Sequence, residues 1–159
     1  MDLEEIYREN YPVVYGYLLS LCANPDEAEE LAAQTFFRAI QSFKRYDGSC
    51  KPSTWLCTIA RNLFYNECKR KKRSERYSKE PALKFEDPQE ACIERDTARR
   101  LYQWASKLET PYREVFFLRL EGLNFREIGT VMERTENWAR VTYFRAKAKI
   151  RGEMEDDDG

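Results

Sequence analysis

A chain of 159 residues with 27 Lys and Arg against 28 Asp and Glu carries a formal net charge of −1 and contains no histidine. Affinity for a phosphate backbone comes largely from Lys and Arg that release counterions, so a near-neutral chain does not grip DNA unaided, and DNA binding here calls for a larger partner. The length admits one domain or two helical units of about 60 to 80 residues each, and periodic stretches rich in Leu, Ala, Glu, Lys and Arg but poor in Gly and Pro favour an all-α fold.

The first periodic stretch, Ile6 to Cys22, is interrupted by Pro12 and predicts a short helix joined to, or kinked into, a longer one. Asn24-Pro25-Asp26-Glu27 reads as a helix start, with an N-cap, a proline where a missing N–H costs little, and Glu three residues after the cap. That helix runs to about Phe43. Leu31, Thr35, Phe36, Ala39, Ile40 and Phe43 recur at core-facing spacing, and Glu30, Gln34, Arg38 and Gln41 line another face, available to a partner. Tyr46-Asp47-Gly48-Ser49 is a turn signal. A third helix is expected from Pro52 to about Arg73, with Trp55, Leu56, Ile59, Ala60, Leu63 and Phe64 on its apolar stripe and solvent-facing cations from Lys69 to Arg73 at its end.

From Ser74 the periodicity fails, and Ser, Pro, Lys and Glu accumulate around Pro81 and Pro88, which reads as a flexible linker over 74–87. Helical patterning resumes at Asp87-Pro88, breaks at Thr110-Pro111, and returns through Val115, Phe116, Leu118 and Leu120. Asn124-Phe125-Arg126-Glu127 is a capping box, and Glu133-Arg134-Thr135 separates its short helix from a longer basic one. Two helices joined by a tight turn predict a helix-turn-helix. In the second of them Ala139, Tyr143, Ala146 and Ile150 face the core, leaving Asn137, Arg140, Val141, Phe144, Arg145 and Lys147 toward solvent or DNA. The acidic end, Glu153 to Asp158, is expected to be disordered, its charge discouraging nonspecific DNA binding.

The order of these segments resembles the extracytoplasmic-function sigma factors of the sigma-70 family over nearly the whole chain. Asp26-Glu27-Ala28-Glu29-Glu30-Leu31 through Gln34-Thr35-Phe36-Phe37-Arg38-Ala39 is similar to the family's polymerase-binding helix, and Thr54-Trp55-Leu56-Cys57-Thr58-Ile59-Ala60-Arg61-Asn62 to its promoter-melting helix. Pro111-Tyr112-Arg113-Glu114-Val115-Phe116 and Glu121-Gly122-Leu123-Asn124-Phe125-Arg126-Glu127-Ile128 resemble the approach to its helix-turn-helix. Two features depart from the pattern: Glu133 stands where glycine is common, and Glu136-Asn137-Trp138 replaces a Val-Gly-Thr-like trio, so promoter preference does not transfer.

The resemblance implies two small helical domains joined by the linker: a region 2 bundle (1–73) and a region 4 helix-turn-helix (88–152), followed by the acidic tail (153–159). It implies core RNA polymerase as partner, through the beta-prime clamp and the beta flap, with Glu30, Gln34, Phe37, Arg38 and Gln41 as the core-binding residues. Melting and reading of the single-stranded minus-ten element would fall to Asp47, Ser49, Lys51, Ser53, Arg61, Asn62, Tyr65, Asn66 and Lys69, because unstacked bases need stacking surfaces and backbone cations. Trp55 is expected in the core, and the loop Asp47 to Ser53 resembles the segment that captures a base turned out of the stack. Duplex reading of the minus-thirty-five element would fall to Arg126, Glu136, Asn137, Arg140, Val141, Phe144 and Arg145. An anti-sigma protein that occludes the polymerase-binding surfaces is a further implied partner; no cofactor and no metal is.

The five cysteines, Cys22, Cys50, Cys57, Cys68 and Cys92, lack paired metal-ligand spacing, and without histidine a mixed Cys/His zinc site is excluded; buried free thiols are expected. No signal sequence precedes Tyr7 and no apolar run approaches the roughly 20 residues that cross a bilayer, so a cytoplasmic, reduced protein without membrane insertion is expected. An enzyme would need a carboxylate cluster or an activated nucleophile, and neither is legible. The competing reading is a stand-alone helix-turn-helix regulator of duplex operators, which leaves the aromatic and cationic set of the third helix without a purpose.

Overall fold

The computed structural model describes residues 2–75 and 96–158. All regular structure among them is helical, and the chain separates into two units, Met1–Glu86 and Asp87–Gly159. The first contains α1 (Leu3–Cys22), α2 (Pro25–Ser42), a 3-10 turn (Phe43–Arg45) and α3 (Pro52–Glu75). The second contains α4 (Asp96–Ser106), α5 (Tyr112–Leu120), α6 (Phe125–Met132) and α7 (Glu136–Asp158).

In the first unit α1, α2 and α3 pack pairwise around Val14, Tyr17, Leu18, Ala28, Ala32, Leu56, Cys57 and Ala60, all fully buried. Alanines on α2 let the helices approach closely, and the larger side chains of α1 and α3 fill the space between them. Asn24 caps α2 as its sequence demands, its side chain accepting the N–H groups of Asp26 (2.9 Å) and Glu27 (3.2 Å); such a cap contributes about 1 kcal/mol.

Two expectations for this unit are corrected and one is narrowed. Pro12 lies inside a single helix, α1 from Leu3 to Cys22, so of the two forms expected the separate short helix is excluded. The missing N–H of Pro12 removes one internal bond, but Ile6 on one side of it and Val14, Tyr17 and Leu18 on the other are buried as α1 packs on α2 and α3, and this packing outweighs a local cost of about 3 kcal/mol. Ile40 is not core but 58% exposed, because the buried stripe of α2 runs through Ala28, Leu31, Ala32, Thr35, Phe36 and Ala39 and leaves Ile40 at its margin. Trp55, too, is only half-buried and stacks on Tyr46, with ring centroids 4.6 Å apart.

The expected linker begins too early, since Ser74 and Glu75 belong to α3. Its remainder, together with Cys92 and the helix start at Asp87-Pro88, lies outside the described residues. Of the cysteines that are described, Cys22 and Cys57 are buried, Cys50 and Cys68 half-buried, and none of the four is in a disulfide.

In the second unit α7 packs on α4, α5 and α6, burying Trp104, Ala105, Leu108, Phe116, Phe117, Ala146 and Ile150 in one cluster. The capping box is formed in both directions: Asn124 Oδ1 accepts the Glu127 N–H (2.9 Å) and Glu127 Oε1 accepts the Asn124 N–H (2.9 Å). Glu133 occupies the left-handed region (φ 57, ψ 43), and its neighbour Arg134 donates its N–H to the Gly129 carbonyl at 2.8 Å. A side chain at Gly129 would meet the Arg134 carbonyl oxygen at 2.7 Å, so glycine is what permits this approach of the turn to α6.

α5 ends at Leu120, where the patterning places its end, with the Leu120 side chain exposed; one further expectation changes here. The acidic end is not disordered: α7 continues through Asp158, and Met154 packs against the core cluster, supplying the apolar contact that carries the helix past Gly152.

Candidate nucleic-acid and partner interfaces

Glu30, Gln34, Phe37, Arg38 and Gln41 recur every three or four residues on α2 and all are exposed, opposite the buried stripe. Phe37 is 63% exposed, and Ile40 extends the apolar part of this face. Large apolar side chains set among exposed polar ones are a feature of surfaces that meet a partner. Glu30 and Gln34 also border a polar groove of about 370 Å³ between α2 and α3, in which Lys71 Nζ lies 2.8 Å from Glu27 Oε1. Lys71, its side chain still 42% exposed, thus differs from the other cations at the end of α3 in being paired with Glu27 across the helix pair, which raises its pKa. Lys69, Arg70 and Lys72 are exposed, Arg70 pairing with Glu67 at 2.6 Å; the Arg73 side chain lies outside the described set.

Between α2 and α3 the chain forms a compact turn. Asp47 Oδ1 accepts the Ser49 N–H at 2.9 Å, which holds the Asp47 carboxyl below its usual pKa. Gly48 adopts φ +78, a conformation that L side chains rarely take. Asp47, Ser49 and Lys51 are exposed and Ser53 is half-buried in the first turn of α3. Farther along α3, Asn62, Asn66 and Lys69 are exposed while Arg61 and Tyr65 are half-buried, the Arg61 guanidinium lying 4.8 Å from the Tyr65 ring centroid. The sequence series 61–65–69 and 62–66 therefore forms one continuous strip of cation, aromatic ring and amides, the combination that single-stranded bases and phosphates require.

In the second unit Glu136, Asn137, Arg140, Val141, Phe144 and Arg145 are exposed along α7, and Arg126 is exposed on α6. Arg140 is held in place: its Nη2 lies 3.5 Å from Glu136 Oε1, and its guanidinium sits 5.5 Å from the Phe125 ring centroid. Arg119 lies over the same ring at 4.8 Å and donates to the Leu123 carbonyl. Arg134 and Lys147 rest similarly on Trp138 and on Tyr143 and Phe144. Val141 and Phe144, 38% and 55% exposed, are apolar side chains amid these charges; a thymine methyl group is a ligand for such a position.

Sequence reasoning missed Phe125 and Arg119 as companions of Arg140, and Tyr46, read only as part of a turn signal, as the stacking partner of Trp55. Phe125 was legible only as a capping-box residue, and nothing in its spacing from Arg119 or Arg140 reveals that three different segments meet at its ring. Among the described residues no group of three or more His, Cys, Asp or Glu is arranged to hold a metal ion, and no helix is long and apolar enough to cross a membrane.

A helical unit with a polar, aromatic strip, in one chain with a helix-turn-helix unit, defines a transcription protein that handles DNA at two places. The Sigma-70 region 2 family matches residues 6–74 and the Sigma-70, region 4 family matches residues 98–150. "ECF RNA polymerase sigma factor SigM" of Bacillus subtilis is 30% identical over 154 residues, covering 95% of this chain and 94% of that one. "RNA polymerase sigma factor YlaC" of the same organism is 26% identical over 159 residues, with 96% and 92% covered. In fold, the chain is similar to the sigma factor RpoE of Bartonella quintana, solved in complex with the anti-sigma factor NepR (TM-score 0.79, 17% identity, 96% of each chain covered). It is also similar to CnrH, solved with the cytosolic domain of CnrY (TM-score 0.71, 18% identity, 98% of this chain and 88% of that one). The chain belongs to the extracytoplasmic-function sigma factors of the sigma-70 family, the regulatory subunits through which bacterial RNA polymerase selects promoters.

Proposed function

We propose that the two units divide the work of this sigma factor residue by residue. Glu30, Gln34, Phe37, Arg38 and Gln41 of α2 bind the polymerase beta-prime clamp, and the second unit reaches the beta flap. Asp47, Ser49, Lys51 and Ser53 receive a base extruded from the minus-ten element, while Arg61, Asn62, Tyr65, Asn66 and Lys69 carry the melted strand. Arg126, Glu136, Asn137, Arg140, Val141, Phe144 and Arg145 read the minus-thirty-five duplex, and Arg140, already oriented by Glu136 and Phe125, makes the base contact of greatest weight.

The observation that carries this reading is the difference in chemistry between the two DNA-facing surfaces. The α3 strip offers a ring, amides and few cations, as unstacked bases require; α7 presents a helix face of alternating cations and apolar groups, as a major groove requires. A stand-alone operator-binding regulator would need only the second.

A first domain that includes all of α3 and a second that includes all of α7 suit this division. The protein works in the cytoplasm without catalysing a reaction of its own, and an anti-sigma protein restrains it by covering the α2 face; the similar RpoE was solved with an anti-sigma factor. The test is run-off transcription with core RNA polymerase and genomic promoter fragments, beside a Gln34→Ala/Arg38→Ala variant. Discrete starts that weaken in the variant through reduced core affinity support the reading; tight duplex binding with no affinity for polymerase contradicts it.

A further inference from the structure

Tyr46 has no part in the assignments above, yet the turn before α3 is organised around it. Its ring stacks on Trp55 in the first turn of α3, with centroids 4.6 Å apart and planes at 21°. Its hydroxyl donates to the Cys50 carbonyl, and its own N–H donates to the Phe43 carbonyl at 3.1 Å, closing the 3-10 turn. The Lys51 carbonyl accepts the Trp55 N–H at 3.1 Å, so the far end of the turn is tied to the other member of the stacked pair. Between these two anchors lie Asp47, Gly48 and Ser49, with the Asp47 carboxylate holding the Ser49 N–H.

A polar turn that contains a glycine at φ +78 samples many conformations when free, and ordering it on contact with a ligand costs binding free energy. The Tyr46 hydroxyl removes that cost in advance by bridging the turn from its start to its end. We propose that Tyr46 is a positioning residue for base capture: by fixing the turn between itself and Cys50 it holds Asp47, Ser49 and Lys51 in the arrangement that receives one unstacked base, and so sets selectivity at that base alone. Tyr46 does not touch the base; it acts through the turn. The inference rests on the proposed assignment of this turn to single-stranded DNA.

Tyr46→Phe keeps the ring and its stack on Trp55 and deletes a single hydrogen bond. The full chain, assembled with bacterial core RNA polymerase, selects from a randomised single-stranded DNA library, and the bound pools are sequenced for the parent, Tyr46→Phe and Ser49→Ala/Lys51→Ala. Core affinity and thermal midpoint are measured alongside; in Tyr46→Phe core affinity stays at the parental value and the midpoint falls by no more than the roughly 4 to 8 °C that loss of one hydrogen bond accounts for. The expected result is a loss of base preference of about 3- to 10-fold at one position, the same position that Ser49→Ala/Lys51→Ala flattens, with the other positions unchanged. A loss spread evenly over all positions contradicts the role of Tyr46. So does no loss while Ser49→Ala/Lys51→Ala still flattens one position, an outcome that leaves the turn's assignment standing. If Ser49→Ala/Lys51→Ala flattens nothing, the assignment of the turn fails and the role of Tyr46 falls with it.

Discussion

Between α2 and α3 the chain runs from Phe43 to Lys51 and is held by side chains: a tyrosine hydroxyl, an aspartate and a stacked aromatic pair. Between α6 and α7 it takes only Glu133, Arg134 and Thr135, and it is held mainly by backbone, with the Arg134 N–H on the Gly129 carbonyl and the turn in close approach to α6, while one side chain, Thr135 Oγ1, accepts the Trp138 N–H. A longer connection held by side chains leaves room for a polar cradle whose shape can be tuned one atom at a time. A short connection held by backbone fixes the angle between two helices, which a rigid duplex groove demands. The two should therefore fail differently: the first through selectivity, the second through stability.

The sharpest way to break this comparison is Gly129→Ala. Its methyl would lie 2.7 Å from one backbone oxygen and 3.0 Å from two more backbone atoms of the turn, none of which is the end of a flexible side chain. The second unit should lose about 3 kcal/mol, read as an earlier denaturant midpoint for its transition while the first unit keeps its own. Next in size is Arg140→Ala, which should cost about 2 kcal/mol of discrimination between promoter duplexes differing at one minus-thirty-five base pair, with stability nearly unchanged. Glu133→Gly should act in the opposite sense to Gly129→Ala. Relieving a side chain from φ 57 stabilises the second unit by about 1 kcal/mol, measured by the same denaturant titration.

A separate effect, read through its pH dependence, concerns Glu121, whose carboxyl is pushed up to about 7 by burial at the end of α5. Because its folded pKa exceeds the unfolded value of 4.5, the folded unit binds more protons than the unfolded chain between these two values, and stability falls as pH rises through that window. Glu121→Gln should flatten this slope and raise the thermal midpoint more at about pH 8 than at about pH 5.

What was legible in the sequence was local. Asn24 and Asn124 announce helix starts because a cap and its partners lie within three residues. The exposed faces of α2 and α7 follow from a 3.6-residue period that burial on the other side enforces. What was hidden depends on residues far apart in the chain. Pro12 signals a break, but the burial that overrides it comes from α2 and α3. Lys71 looks like one of five equivalent cations until Glu27 is found beside it. The acidic end looks disordered by charge, yet Met154 anchors it to a core that includes Trp104. Phe125 carries two guanidinium groups that no spacing rule connects.

The division of labour is tested most directly by a crossed binding measurement on the polymerase-bound protein, using a single-stranded minus-ten oligonucleotide and a minus-thirty-five duplex as separate probes. Asn62→Ala/Lys69→Ala should weaken the single strand and leave the duplex unchanged, and Arg140→Ala/Arg145→Ala should do the reverse. Equal loss of both probes in both variants would contradict the assignment of one unit to melting and the other to anchoring.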